Sequence, residues 1–138
     1  MATPTAHRTK ALHNEQLIQH HQLGAGEFAD WAVTVLFYSA VHWLRALITS
    51  SGLPDVRDYS GEDRAAAELL RKRVLDNQAW VWYRDLKDDS RDARYEMRIF
   101  TPADFDEVNR DSFTPFRAFV LSRLNFPPNP APRQQPQG

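Results

Sequence analysis

Between Phe28 and Ile48 the apolar positions are dense: Phe28, Trp31, Ala32, Val33, Val35, Leu36, Phe37, Ala40, Val41, Trp43, Leu44, Ala46, Leu47 and Ile48 leave little room for a wet face. A helix apolar nearly all round belongs in the middle of a bundle. The spacing predicts such a helix over about Glu27 to Thr49, closed by Ser50-Ser51-Gly52-Leu53-Pro54. Before it, Leu12, Leu17 and Ile18 amid polar residues predict a helix from about Arg8 to Gln22, stopped at Gly24-Ala25-Gly26. After it, Ser60 is the expected cap of a third helix rich in alanine, with Asp63 near its third position. A break at Asp76-Asn77 precedes a fourth helix from about Gln78 to Arg91, with a possible extension to Arg98. Thr101-Pro102-Ala103-Asp104 starts a fifth helix by cap, proline and first-turn acid; it runs to Leu124 with an interruption near Thr114-Pro115. No segment alternates convincingly with period two, so the expected fold is an all-α bundle of four to five helices.

At 138 residues the chain has the length of one domain. The expected division is a helical domain over 1–125 and a Pro/Gln-rich disordered tail over 126–138. The net charge of −1 excludes a globally basic coating, so any nucleic-acid role must use a local patch. The absence of cysteine excludes disulfides, thiolate nucleophiles and Cys-ligated metals. No apolar signal core opens the chain. The longest uncharged stretch, Trp31 to Leu44, is closed by Asp30 and Arg45 at 14 residues, where a bilayer span needs about 20. A soluble, cytoplasmic protein without a membrane partner is the expectation. Of its 17 basic residues, 14 are arginine, whose fork suits phosphate, carboxylate and aromatic partners; a GC-rich coding genome accounts for the same bias.

On the central helix, Asp30, Thr34, Tyr38 and His42 follow one another at i+4, and Arg45 falls back onto the same side. A buried polar group without a partner costs about 1–3 kcal/mol, so this ridge must meet partners or line a solvated groove. In the blander arrangement Asp30 favours the helix dipole, Thr34 bonds its own helix, Tyr38 and His42 bond each other, and Arg45 snorkels outward. In the functional one the ridge is a cleft wall, with His42 as acid, base or phosphate donor and Arg45 as an anion clamp.

The fourth helix is two-coloured. Tyr83, Leu86, Ser90, Ala93 and Met97 form its core seam. Arg84, Lys87, Arg91, Arg94 and Arg98 form a basic stripe if the helix stays regular, and Asp85, Asp88, Asp89, Asp92 and Glu96 an acidic one. Intrahelical ion pairs on a solvated face explain such stripes at tenths of a kcal/mol each. Alternatively Arg91 and Arg94 pair with phosphates and Tyr95, lying among them, stacks on a base. Trp80 and Trp82 point to different sides, which makes one of them a candidate for a subunit interface.

Phe37-Tyr38-Ser39-Ala40-Val41-His42-Trp43-Leu44-Arg45-Ala46, then Tyr83-Arg84-Asp85-Leu86, then Ser90-Arg91-Asp92-Ala93-Arg94-Tyr95, resembles the HEPN superfamily, in particular its small bacterial branch. The match covers roughly His13 to Leu124. The resemblance implies an all-α bundle, a homodimer and a polar cleft at the dimer interface. It also implies RNA or nucleotide as ligand and a toxin–antitoxin or defence context, with a nucleotidyltransferase-like protein as a candidate partner. Ribonuclease members carry Arg-x4–6-His on a late helix, whereas here the last histidine of the chain is His42. Arg8 and His13 match the spacing literally, but on the first helix, where it is a chance match. The segment Gly61-Glu62-Asp63-Arg64 has glycine where this branch carries a His-x-x-Arg.

The ligand-binding candidates are therefore Tyr38, His42, Arg45, Arg91, Arg94 and Tyr95. His42, Arg94 and Arg91 double as catalytic candidates for a metal-independent ribonuclease. A non-catalytic adaptor subunit is the remaining alternative. No cofactor or metal is expected: His13, His20 and His21 lack a third spaced ligand, and no Gly-rich phosphate loop exists.

Overall fold

The computed structural model describes residues 2–96 and 98–124. Among them the chain is all-helical, as the apolar spacing implies. The helices are α1 (Pro4–His21), α2 (Ala29–Ser50), α3 (Tyr59–Arg71), α4 (Asn77–Tyr95), α5 (Pro102–Val108) and α6 (Thr114–Leu124). The expected disordered tail over 126–138, and Met97 of the fourth-helix seam, lie outside the described residues.

The central position of α2 follows from its composition. Fourteen of its residues are buried, and it packs against α1, α3, α4, α5 and α6. By length and composition α2 could cross a bilayer, yet 72% of its apolar window is packed inside the protein. Fully enclosed Phe37, Trp43, Leu44, Leu47 and Ile48 meet Tyr83 and Leu86 of α4 and Phe116 and Val120 of α6 in one continuous core. A single carboxylate pins three helices together at one side. Glu15 of α1 accepts from Trp43 Nε1 at 2.7 Å and Ser39 Oγ at 3.2 Å on α2, and from Arg117 Nε at 3.0 Å on α6.

The helix ends obey local chemistry, with three departures from expectation. α1 begins a turn earlier than its apolar pattern, because Thr3 caps Ala6 N–H at 3.0 Å and Pro4 takes the first turn. Asp58, not Ser60, caps α3, accepting from Gly61 N–H at 2.7 Å; Ser60 instead accepts from Arg64. α4 ends at Tyr95, so Arg98 leaves the basic stripe and ion-pairs with Asp89 and Asp92. Thr101 caps α5 as expected, and Asp104 answers it to complete a reciprocal capping box.

α5 and α6 are joined by a π turn over Asn109–Phe113. Pro115 has no N–H, and its ring would clash with the carbonyl four residues back in a regular helix; one wide turn relieves both. The adjustment leaves Phe113 and Phe116 both turned into the core. Gly52, at φ +87°, takes the left-handed conformation that stops α2, where a side chain would be strained. Gly24 lies so close to the Phe105 ring that a Cβ there would overlap it, which lets the α1–α2 turn seat on α5.

Candidate functional site

The polar ridge of α2 divides into two halves with different surroundings. Its C-terminal half is occupied by other parts of the chain. Arg45 Nε donates to Glu62 Oε2 at 2.7 Å, and Tyr83 Oη donates to Glu62 Oε1 at 2.6 Å. Glu62, on α3, is only 1% exposed. Burial pushes its carboxyl above the usual range, while Tyr83 and Arg45 pull it back down. Burial and the adjoining Glu62 carboxylate drive the Tyr83 phenol well upward. The charge of Arg45 is thus already answered inside the protein.

His42 is held by a second set of groups. Its Nδ1 lies 3.0 Å from Nδ1 of His7, and His7 Nε2 lies 2.9 Å from Asp55 Oδ1. Three segments meet here: the first turns of α1, the middle of α2 and the loop before α3. Asp55 Oδ1 accepts from His7 Nε2–H, and the Nδ1 atoms of His7 and His42 share one hydrogen between them. Burial lowers the His42 pKa from 6.5 to about 4, helped by His7, Arg45 and Lys10 and opposed by Asp55. His42 is therefore neutral at pH 7. Burial raises the Asp55 carboxyl, but the hydrogen bond and charge of His7 outweigh it and the net shift is downward.

The N-terminal half of the ridge is open. Tyr38 is exposed and accepts from Arg94 Nη1 of α4 at 3.0 Å. The Arg94 guanidinium carbon also lies 5.0 Å from the Tyr95 ring centroid, and Arg94 Nε donates to the Ser90 carbonyl at 3.2 Å. Beside this cluster a cavity of about 400 Å³ is lined by Asp30, Trp31 and Thr34 of α2 and Ala93, Arg94 and Tyr95 of α4. Trp31 is 58% and Tyr95 68% exposed. Phe28 is exposed as well, so α2 keeps a narrow open strip where the apolar run implied almost none.

Six sequence candidates thus separate into three places. Tyr38, Arg94 and Tyr95 come together at the open cleft. His42 and Arg45 stand further along α2 with partners of their own. Arg91 projects on another side of α4, beside a cavity of about 490 Å³ with Arg84, Lys87, Trp80, Asp63 and Asp88. Trp80 and Trp82 are both half-buried against the core, Trp80 stacked on Tyr83 at 5.5 Å. His7, Asp55, Glu62 and Tyr83 join the site from outside the sequence candidates, and Trp31, which the apolar pattern assigns to the core, is exposed. Trp31 had a visible signal: seven residues before Tyr38, it stands only about 20° from it on the helix. No group of three or more metal-binding side chains occurs among the described residues.

No family model matches the chain, and no curated protein and no solved structure matches it significantly.

Proposed function

We propose that the chain is a HEPN-like helical domain, working as a homodimer, that binds RNA or nucleotide phosphates through the cleft between α2 and the last turn of α4. The observation that carries this reading is Arg94. Its Nη1 is held on Tyr38 Oη at 3.0 Å, no carboxylate among the described residues pairs with it, and it borders an open cavity with two exposed aromatic rings. A guanidinium oriented by neutral groups keeps its charge for a phosphate, and flanking rings supply stacking surfaces for bases. Arg45, neutralised by Glu62, does not have that freedom. Binding of labelled single-stranded RNA, measured at rising salt, tests the reading. Salt-sensitive binding that weakens about tenfold in Arg94→Ala supports it; binding untouched by that substitution removes it. The homodimer and the toxin–antitoxin or defence setting rest on the sequence resemblance. Light scattering tests the first, and growth arrest on induction tests the second.

The array Asp55–His7–His42 favours one second reading, a metal-independent ribonuclease. A neutral histidine with an oriented ring is suited to take a proton from a ribose hydroxyl. Cleavage of RNA that disappears in a folded His42→Ala protein would establish it, and intact RNA after long incubation with the wild type would end it.

A further inference from the structure

The open cavity is polar at two separated points and aromatic elsewhere. Asp30 lies on its α2 wall and Arg94 on its α4 wall, and among the described residues no ion pair joins them. One Asp30 oxygen, Oδ1, accepts from the Trp31 backbone N–H at 2.9 Å. A carboxylate offers about four lone-pair positions, so acceptor capacity remains for a ligand. Trp31 and Tyr95 are exposed residues that line the same space.

These groups restrict what fits. A planar ring satisfies the two aromatics. The carboxylate asks for donors on the ring's edge, and the guanidinium asks for an anion elsewhere on the same molecule. A methylated ammonium would suit the rings and Asp30 but would sit beside the positive charge of Arg94. Among the four RNA bases, guanine alone presents two adjacent donors, N1–H and the 2-amino group, that match both oxygens of a carboxylate. Adenine and cytosine set a ring-nitrogen acceptor next to their amino group, and uracil flanks its one N–H with two carbonyls; each turns a lone pair towards Asp30.

We propose that this cavity takes a guanine base carrying a phosphate, with the ring against Trp31 and Tyr95, its donor edge on the Asp30 carboxylate and its phosphate on Arg94. The inference rests on the cleft's reading as a phosphate-binding one and adds the base to it. The base arrives either within single-stranded RNA or as a free guanine nucleotide, since both present the same edge and anion.

The test uses the full chain and labelled oligouridine hexamers carrying one central guanosine, adenosine or cytidine, followed by anisotropy. GMP and AMP serve as competitors. The guanosine hexamer should bind about tenfold more tightly than the other two, the discrimination expected of one bidentate pair. Asp30→Asn should remove that preference, while salt-sensitive binding of all three hexamers through Arg94 persists. Trp31→Phe should retain the preference and Trp31→Ala should weaken guanosine binding. GMP should displace the guanosine hexamer better than AMP; displacement at matched concentrations would identify the free nucleotide as sufficient, and displacement only by RNA the strand. Equal affinity for all three hexamers, with Arg94→Ala still weakening them, would overturn the guanine assignment and leave phosphate binding standing. No salt-sensitive binding to any hexamer would overturn both.

Discussion

The two halves of one ridge on α2 make an instructive contrast. Asp30, Tyr38, His42 and Arg45 share a side of the same helix and look equivalent as a pattern. In the folded chain Arg45 and His42 are claimed by Glu62, Tyr83, His7 and Asp55, while Asp30 lines an open cavity and Tyr38 holds Arg94 at its edge. The difference arises from what crosses each half. α3, the loop before it and the start of α1 cover the C-terminal part of the ridge, and the last turn of α4 borders the open N-terminal part. The same residue types therefore serve stability at one end and remain available for ligands at the other.

The largest expected effect is at Arg45. Removing it strands Glu62 at 1% exposure with Tyr83 as its remaining donor. Breaking a buried pair by deleting one partner costs about 3–5 kcal/mol. Arg45→Ala should lower urea stability by that order, Glu62→Gln in the same protein should recover part of it, and RNA affinity of the folded protein should stay unchanged. Full stability combined with lost RNA binding in Arg45→Ala would move Arg45 to the open half and erase the contrast.

His42 sharpens the contrast through pH. Its folded pKa lies near 4 against 6.5 for the free side chain, so the unfolded chain takes up a proton first as pH falls. The stability it contributes is complete above pH 6.5 and is lost as pH falls from 6.5 to about 4, a change of about 1–3 kcal/mol. Asp89 works the other way. Burial, with the neighbouring Asp92, Asp85 and Asp88, raises it from 3.8 to about 6 despite Arg98, so its effect lowers stability as pH rises across that range. Comparing His42→Gln with wild type cancels Asp89, and the difference between their unfolding midpoints should shrink from pH 7 to pH 4. A constant difference would show that His42 is not held neutral by its surroundings.

Most of the bundle was legible in the sequence because helix starts and buried faces follow local rules. The fifth helix was placed by Thr101-Pro102 and Asp104, and the same dipeptide at Thr3-Pro4 starts α1. That early start puts His7 on α1, one turn ahead of the apolar pattern that marks the helix in the sequence. Glu62 and Asp55 were illegible for a different reason: no local rule says that a carboxylate on α3, or in the loop before it, will meet α2. The candidates Tyr38, Arg94 and Tyr95 converged, since both helices are regular up to Tyr95. Arg98 did not, because α4 stops short of it and the acidic residues Asp89 and Asp92 capture it.

The smallest effect concerns Arg91, three residues before Arg94 and on a different side of α4. Arg91 is exposed, and its cavity holds Asp63 and Asp88 alongside Arg84 and Lys87, so the local field there is of mixed sign. Arg91 lines a different cavity from Arg94, so a phosphate seated at Arg94 meets Arg91 across solvent, where salt weakens the attraction. Arg91→Ala should therefore weaken RNA binding by about twofold and leave the slope of log affinity against log salt almost unchanged, whereas Arg94→Ala should reduce that slope by about one. Equal slopes lost in the two variants would mean that the strand runs along the outer face of α4 through Arg84, Lys87 and Arg91. The open half of α2 would then be a boundary of the nucleic-acid path instead of its centre.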